Sequence, residues 1–141
     1  MKPEDKDLLF KDLCARLPYN VICQVEFKEN EKYTSKVMLL SGIFTDEAYF
    51  TTKGGSIYSN EYKPYLFPLS SITDEPGTPL EINKYGDITI KDDFYGYNQY
   101  TDLEIYSAVV DWLNQNHFDY RGLIPMGLAI AVTKENNPYK K

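Results

Sequence analysis

The chain has 141 residues and a formal net charge of −6, and 43% of its residues are hydrophobic and 26% charged. This length suits one domain with a single core, and this composition is typical of a globular protein. The chain has no apolar run long enough for a membrane helix, and its charged amino terminus is unlike a secretory signal, so we expect no membrane partner and a cytoplasmic location.

The few cysteines and histidines restrict metal and redox chemistry. Cys14 and Cys23 are not spaced as in a zinc-binding motif, and His117 is the single histidine. We therefore predict no metal site and no cofactor. Each cysteine falls on an apolar face of a predicted element, so we expect both to be reduced thiols in the core.

The negative charge is concentrated in one block. Residues 73–120 contain ten acidic residues and only two lysines, whereas the rest of the chain is close to neutral. Binding to phosphates needs clustered lysine and arginine, which this sequence lacks. The charge pattern therefore disfavours direct nucleic-acid binding and favours a basic partner.

A helix is predicted over residues 1–18. It begins after the proline and acids at residues 3–5, which suit a first helical turn, and it ends at Pro18. Its apolar residues recur at helical spacing, so we expect this side to pack on a sheet. They are Leu8, Leu9, Phe10, Leu13, Cys14 and Leu17.

Residues 19–72 are predicted to form several short strands. Val21, Cys23, Val25 and Phe27 alternate with other residues, which indicates a strand with one buried side. A polar loop is expected over residues 29–36, and a bulge at Gly42 in the next apolar run. A tight turn is expected over residues 53–56.

Two prolines mark the last of these strands. Pro64 and Pro68 cannot donate to a strand ladder, so this segment is predicted to be an edge strand or an extended crossing. Closely spaced strands with a bend are typical of a small, curved antiparallel sheet or an SH3-like barrel.

A hairpin and a helix-strand unit follow. Residues 80–91 are predicted to pair Leu80 and Ile82 with Ile88 and Ile90. Residues 102–132 are predicted to hold a helix ending near Asn116, a polar segment and a short strand over residues 128–132. A capping box of Thr101 and Glu104 would start the helix. The predicted buried face of the helix comprises Leu103, Tyr106, Val109, Val110 and Leu113.

These elements predict one α+β domain over residues 1–141. In this arrangement an N-terminal helix and a C-terminal helix-strand unit flank the curved sheet or small barrel.

Three sequence blocks carry a resemblance to a known family. They are DLCARLPY at residues 12–19, KPYLFPLSSIT at residues 63–73, and DWLN at residues 111–114 continuing into HFDYRGLIPMGLA at residues 117–129. The chain resembles a family of small uncharacterised proteins encoded in prophages and mobile elements of gut Bacteroidetes. The resemblance implies an origin in a phage or mobile element and implies no mechanism.

A polar cluster follows the second helix. His117, Asp119, Tyr120 and Arg121 place an imidazole, a carboxylate, a phenol and a guanidinium within five residues. Such a set could perform acid-base chemistry, but no nucleophile with an adjacent base accompanies it, so we predict no catalytic residue. We favour a structural role in which Asp119 and Arg121 pair and tie the helix end to the sheet.

Residues 92–100 combine acids with aromatic side chains and show no apolar alternation, which indicates a surface loop. Aromatic rings offer large contact areas, and neighbouring acids attract a basic partner. The candidate binding residues are Asp92, Asp93, Phe94, Tyr95, Tyr97 and Tyr100.

The sequence leaves three hypotheses about function. The first is a non-enzymatic binding or accessory protein that presents this acidic, aromatic surface to a protein partner. The second is a binding protein for a nucleotide or a similar small ligand, with an aromatic pocket and Arg121 as the anion partner. The pocket residues in this hypothesis are His117, Asp119, Tyr120 and Arg121. The third and least favoured is a hydrolase that uses His117 and Asp119.

Overall fold

The structure is a computed structural model that describes residues 2–44, 47–73, 78–91 and 102–140. It is an α+β structure in which helix α1 (Pro3–Arg16) precedes a mixed sheet and helix α2 (Asp102–Gln115) follows it. The strands are β1 (Ile22–Glu29), β2 (Lys32–Ile43), β3 (Ala48–Thr52), β4 (Gly55–Ser59), β5 (Glu61–Pro68), β6 (Leu80–Ile82), β7 (Ile88–Ile90), β8 (Phe118–Asp119) and β9 (Ile130–Ala131).

The main sheet has the strand order β4-β3-β2-β1-β5-β8, and β9 also pairs with β5. The first five strands are antiparallel, whereas β8 and β9 join β5 in parallel. The predicted antiparallel pairing is confirmed for the strands of residues 19–72. The whole sheet is mixed because the chain that returns after α2 runs in the same direction as β5. The order forms an open path, so a closed barrel is not observed among the described strands.

Strands β1 and β2 form a long hairpin, which we call the β1–β2 ribbon. Its ladder runs from the Ile22–Leu39 pair to the Glu29–Lys32 pair, so the predicted loop over residues 29–36 is wrong. Asn30 and Glu31 connect the strands with φ angles of 54° and 67°. Two successive left-handed residues form the turn that matches the twist of a tight hairpin. The polar residues thus continue the strands because this end of the ribbon is exposed on both faces.

The predicted bulge at Gly42 is confirmed. The register between β2 and β3 shifts between Leu40 and Gly42, so the second strand bends at this point. The predicted turn over residues 53–56 is also confirmed by the Thr52–Gly55 pair that closes the β3–β4 hairpin.

Strand β5 lies inside the sheet, which contradicts the predicted edge position. Residues Glu61 to Pro64 pair with β1, and the residues that follow pair with β9 and β8. Pro64 opposes Cys23 at the last pair of the β1 ladder, where the alternation of hydrogen-bonded pairs turns the proline nitrogen away from β1. Strand β5 tolerates Pro64 inside the sheet because this residue, which has no backbone N–H, lies where the pairing with β1 ends and the pairing with β9 begins.

The main core lies between α1 and the inner face of the sheet. It contains Leu9 and Leu13 of α1, Cys23 and Phe50 of the sheet, and Leu123 of the C-terminal segment. The predicted buried face of β1 is confirmed, since Val21, Cys23 and Val25 are fully buried and Phe27 is half-buried. Cys14 is exposed, so its predicted place in the core is wrong.

The buried side of α1 is rotated from the predicted stripe. Phe10 is exposed, whereas Asp12 and Arg16 are fully buried beside Leu9 and Leu13. The apolar pattern could not predict this buried side of α1, because two of the four buried residues of the helix are charged.

A second, smaller core lies under α2. It joins Val109 and Leu113 of α2 to Phe118, Ile72 and Leu80. The predicted hairpin is confirmed, because Leu80 pairs with Ile90 and Ile82 with Ile88.

The predicted bounds of α2 are confirmed to within a residue or so, and its predicted buried face is confirmed only at Val109 and Leu113. Leu103 and Tyr106 are exposed and Val110 is partly exposed, while Ile105 and Asn114 are buried. The apolar residues of α2 extend beyond its packed side, so periodicity alone could not select the face. The capping residue Thr101 lies outside the described residues.

None of the helices in the described ranges is both long enough and apolar enough to cross a membrane.

Candidate functional site

The polar segment at residues 117–121 is held between the two cores. His117 follows α2 with a φ angle of 63°, and this left-handed residue turns the chain toward β5. The backbone N–H of Phe67 donates to the carbonyl of His117 at 2.8 Å, and β8 then pairs with β5. The segment therefore begins as part of the sheet.

A buried ion pair from α1 meets this segment. Arg16 donates from Nε and Nη2 to the two carboxylate oxygens of Asp12 at 2.7 and 3.1 Å, and both side chains are fully buried. Nη2 also donates to the carbonyl of Phe118 at 2.7 Å. The two hydrogen bonds between the guanidinium and the carboxylate compensate much of the charge of both groups, and the hydrogen bond to Phe118 joins α1 to β8.

Arg121 adds a second guanidinium to the same carboxylate. Its Nε lies 3.2 Å from Oδ1 of Asp12, a distance typical of an ion pair but without hydrogen-bond geometry. The guanidinium carbons of Arg121 and Arg16 lie 5.1 and 5.2 Å from the centre of the Tyr120 ring. The Tyr120 hydroxyl donates to Oδ1 of Asn114 in α2 at 2.9 Å. We call Asp12, Arg16, Tyr120 and Arg121 the ionic cluster.

Asp119 does not pair with Arg121, so that prediction is wrong. Its two carboxylate oxygens accept the backbone N–H groups of Leu123 and Ile124, both at 2.9 Å. The carboxylate thereby holds the turn that leads into the core residue Leu123. Arg121 pairs instead with Asp12, which α1 brings within reach.

His117 and Tyr139 stack as parallel rings, with centroids 4.0 Å apart and an interplanar angle of 9°. Nδ1 of His117 is buried without a hydrogen-bond partner. Burial, with the positive charge of Arg16 adding to it, lowers the pKa of His117 to about 4. The imidazole is therefore neutral at pH 7 and unsuited to act as a proton donor there.

The hydroxyl of Tyr139 fills a gap between β1 and β5. It accepts the N–H of Ile22 at 3.0 Å and donates to the carbonyl of Tyr65 at 2.7 Å. The β1–β5 ladder ends at Cys23 and Pro64, and these two groups would form its next bond. The phenol replaces that bond, and burial raises the pKa of Tyr139.

No family model, curated protein or solved structure matches the chain. The proposed role therefore rests on the residues themselves.

The two sets of sequence-predicted site residues have different outcomes. His117, Asp119, Tyr120 and Arg121 lie near one another, and each contacts the surrounding elements. Asp92, Asp93, Phe94, Tyr95, Tyr97 and Tyr100 lie outside the described residues, so their binding role stays a prediction.

Asp12, Arg16 and Tyr139 were missed by the sequence reasoning. Asp12 and Arg16 are separated by one helical turn. An acid and a base at that spacing, beside apolar leucines, could have predicted an ion pair on this side of α1. Tyr139 had no such signal, because its partners Ile22 and Tyr65 are distant in sequence.

The arrangement favours a structural role over chemistry. The ionic cluster contains no serine, threonine or cysteine nucleophile, and its carboxylate is bound by two guanidinium groups. In the part of the chain that the structure describes, no group of three histidine, cysteine or acidic residues could hold a metal ion.

Proposed function

We propose that this protein is a non-enzymatic binding module that recognises another protein. The observation that carries the proposal is the burial of Asp12 and Arg16 in the ionic cluster. Both side chains are fully buried, and Arg16 joins α1 to β8. These charged side chains thus serve to connect elements, which leaves the surface for recognition.

The first proposed contact surface is the acidic, aromatic segment at residues 92–100. Asp92 and Asp93 would attract a basic partner, and Phe94, Tyr95, Tyr97 and Tyr100 would supply contact area. This proposal rests on composition, because the segment lies outside the described residues.

The nucleotide-binding hypothesis needs an available anion partner. Arg121 already lies beside the Asp12 carboxylate, and its side chain is only 22% exposed. An anion at this position would compete with a buried carboxylate, so these contacts support protein recognition over a phosphate pocket.

We also propose that β1 to β5 form an SH3-like barrel that is left open on one side. The strand order β5-β1-β2-β3-β4 supports this arrangement. The hydroxyl of Ser59 at the end of β4 donates to the carbonyl of Glu26 in β1 at 2.6 Å, which supports a sheet curled back on itself.

An accessory role in a phage or mobile element is proposed from the family resemblance alone. In that role the protein would act on a host protein, and the partner would come from the cell that carries the element.

Affinity capture from such a host lysate tests the binding proposal. The wild-type chain should retain a protein that a variant with Tyr95, Tyr97 and Tyr100 changed to serine does not retain, as identified by mass spectrometry. A matched control changes the exposed Tyr85 and Tyr106 to serine and should still capture it. Capture by none of the three proteins, or equal capture by all three, would contradict the proposed surface.

A further inference from the structure

The open side of the curled sheet is bordered by two strand edges. Within the described residues β4 is the last strand of the sheet and pairs with β3 alone. Strand β1 pairs with β5 only as far as the Glu26–Glu61 pair, while β1 itself continues to Glu29. The last residues of β1 therefore have β2 on one side and none of the described strands on the other.

The free hydrogen-bonding groups of β4 can be assigned from its ladder. Antiparallel pairs alternate between hydrogen-bonded and non-hydrogen-bonded, and a two-residue turn is flanked by a hydrogen-bonded pair. The Thr52–Gly55 pair flanks such a turn. The backbone groups of Gly55, Ile57 and Ser59 therefore point toward β3, while those of Ser56 and Tyr58 point to the open edge.

The outward-pointing backbone groups of β1 follow from its pairing with β2. The Glu29–Lys32 pair flanks the turn at Asn30 and Glu31, so the N–H and C=O of Lys28 point away from β2. Because β5 begins at Glu61, opposite Glu26, Lys28 faces the opening. The two edges thus present backbone donors and acceptors toward the same groove.

The groove comprises two adjoining cavities that share Phe27, Lys28 and Ile57 in their lining. The cavity beside the start of β5 has a volume of about 470 Å³, and the cavity beside the β3–β4 turn has a volume of about 280 Å³. Phe27 and Ile57 supply apolar surface to both cavities, and Met38 adds apolar surface to the second.

The charges in the groove differ between its two parts. Glu26, Glu47 and Glu61 line the cavity beside β5, together with Lys28. Lys28, Glu29 and Lys36 line the cavity beside the β3–β4 turn, where Nζ of Lys36 lies 5.7 Å from the centre of the Phe27 ring. A ligand with positive charge near the start of β5 therefore suits this groove.

We propose that this groove binds an extended basic peptide segment, which adds to β4 as a further strand. Residues of a strand alternate between two faces. Apolar residues of the segment would contact Phe27 and Ile57, and its lysine or arginine residues would lie beside the glutamates and the exposed rings of Tyr33 and Tyr58. This inference rests on the proposed protein-binding function, since it names a partner class and a second surface for it.

The direct test uses a capped peptide of alternating lysine and valine, KVKVKVK, labelled with fluorescein. Fluorescence anisotropy should show saturable binding to the whole chain and none for the acidic peptide EVEVEVE. Hydrogen exchange should slow at the amides of Ser56 and Tyr58 when KVKVKVK is bound, because these donors gain acceptors. Binding without that protection would overturn strand addition.

Ser56→Pro tests the edge itself. It removes an outward N–H and leaves the bonds to β3, so we expect about tenfold weaker binding of KVKVKVK from the loss of one hydrogen bond. Ser56→Ala keeps the N–H and should bind as the wild type does. Equal binding by both variants, with unchanged circular dichroism, would overturn the proposal.

Charge reversal provides a second test that does not alter the backbone. Glu47 and Glu61 are exposed, and changing both to lysine should abolish KVKVKVK binding and permit EVEVEVE binding. The matched control changes Asp111 and Glu135, two exposed acids outside the groove, to lysine and should retain KVKVKVK. If the control also loses KVKVKVK binding, the peptide is attracted by the net charge of the protein alone, and the proposed site is overturned.

The oligomeric state shows whether the groove is occupied by a peptide or by a second copy of this chain. Size-exclusion chromatography with light scattering should give a monomer, and a dimer dissociated by Ser56→Pro would overturn the peptide proposal. If KVKVKVK does not bind, the proposal that residues 92–100 capture a partner from lysate is unaffected. If the change of the tyrosines in residues 92–100 does not alter capture while KVKVKVK still binds beside Ser56, the first surface is rejected and the groove is retained.

Discussion

Single polar groups in this protein act by completing bonds that the backbone leaves open. Asp119 binds two N–H groups of the turn that follows it, and Tyr139 joins Ile22 to Tyr65 where two strands separate. Buried backbone groups without partners are costly, so such side chains make otherwise irregular backbone compatible with burial.

His117 should make stability depend on pH. Its pKa is 6.5 in the unfolded chain and about 4 in the folded protein, so only the unfolded chain takes up a proton between these values. Its contribution to the free energy of unfolding is complete above pH 6.5 and is lost as the pH falls toward 4.

His117→Asn tests this dependence, because asparagine also accepts the left-handed backbone. Urea unfolding should show a smaller loss of stability between about pH 7.5 and about pH 5 in the variant than in the wild type. Equal losses would show that His117 titrates normally in the folded protein.

Tyr139→Phe should destabilise the protein by about 1–3 kcal/mol, because it leaves the Ile22 N–H and the Tyr65 carbonyl without their partner. The ring contacts with His117 and Phe67 can remain. Urea unfolding measures the change. Tyr33→Phe, at a residue that is 70% exposed, is the matched control and should change stability by less than about 0.5 kcal/mol. A similar small change in both variants would contradict the bridging role.

At the scale of elements, the ionic cluster joins α1 to the C-terminal segment. Asp12 and Arg16 come from one face of α1, and Arg16 reaches β8 while Arg121 returns to Asp12. An ion pair of this kind need not add stability relative to apolar residues, but removing one partner leaves a buried charge.

Asp12→Ala should therefore destabilise the protein by about 3–5 kcal/mol, because the buried Arg16 loses its carboxylate. Replacing both partners, with Asp12→Leu and Arg16→Met, should recover part of that loss. The measurement is a double-mutant cycle of unfolding free energies. Purely additive losses would mean that the two charges are not coupled.

The elements differ in how far their pattern could be predicted. The helices, the bulge at Gly42 and the residues 80–91 hairpin follow from local periodicity and turn chemistry. The position of β5 could not be derived, because it depends on β8 and β9 returning beside it. The buried face of α2 was predicted only in part, because an apolar residue such as Leu103 is exposed in the folded chain.

At the scale of the whole molecule, the described residues form two hydrophobic clusters with the polar segment between them. The larger lies under α1 and the smaller under α2. Strand β5 contributes Leu66 to the first and Phe67 to the second, and Arg16 bonds to Phe118 across their boundary. One strand and one side chain thus connect the two clusters.

We expect the two clusters to unfold together. Trp112 is the only tryptophan, and it stacks on Phe118 in the smaller cluster with centroids 5.3 Å apart. Its fluorescence should change at the same urea concentration as the circular dichroism, which follows the sheet and helices of the whole chain. An earlier transition in fluorescence would show that the smaller cluster unfolds independently.

The sequence by itself determined the local structure of this protein: helices at both ends of the sheet, alternating strands, tight turns and a hairpin. These features depend on neighbouring residues, whose spacing the sequence displays directly. Only the tertiary structure decided that Arg121 meets Asp12, that Arg16 bonds to a residue 102 positions away, and that Tyr139 reaches Ile22. The direction of the returning strands and the packing of α1 bring these groups together, and neither is encoded in a local pattern.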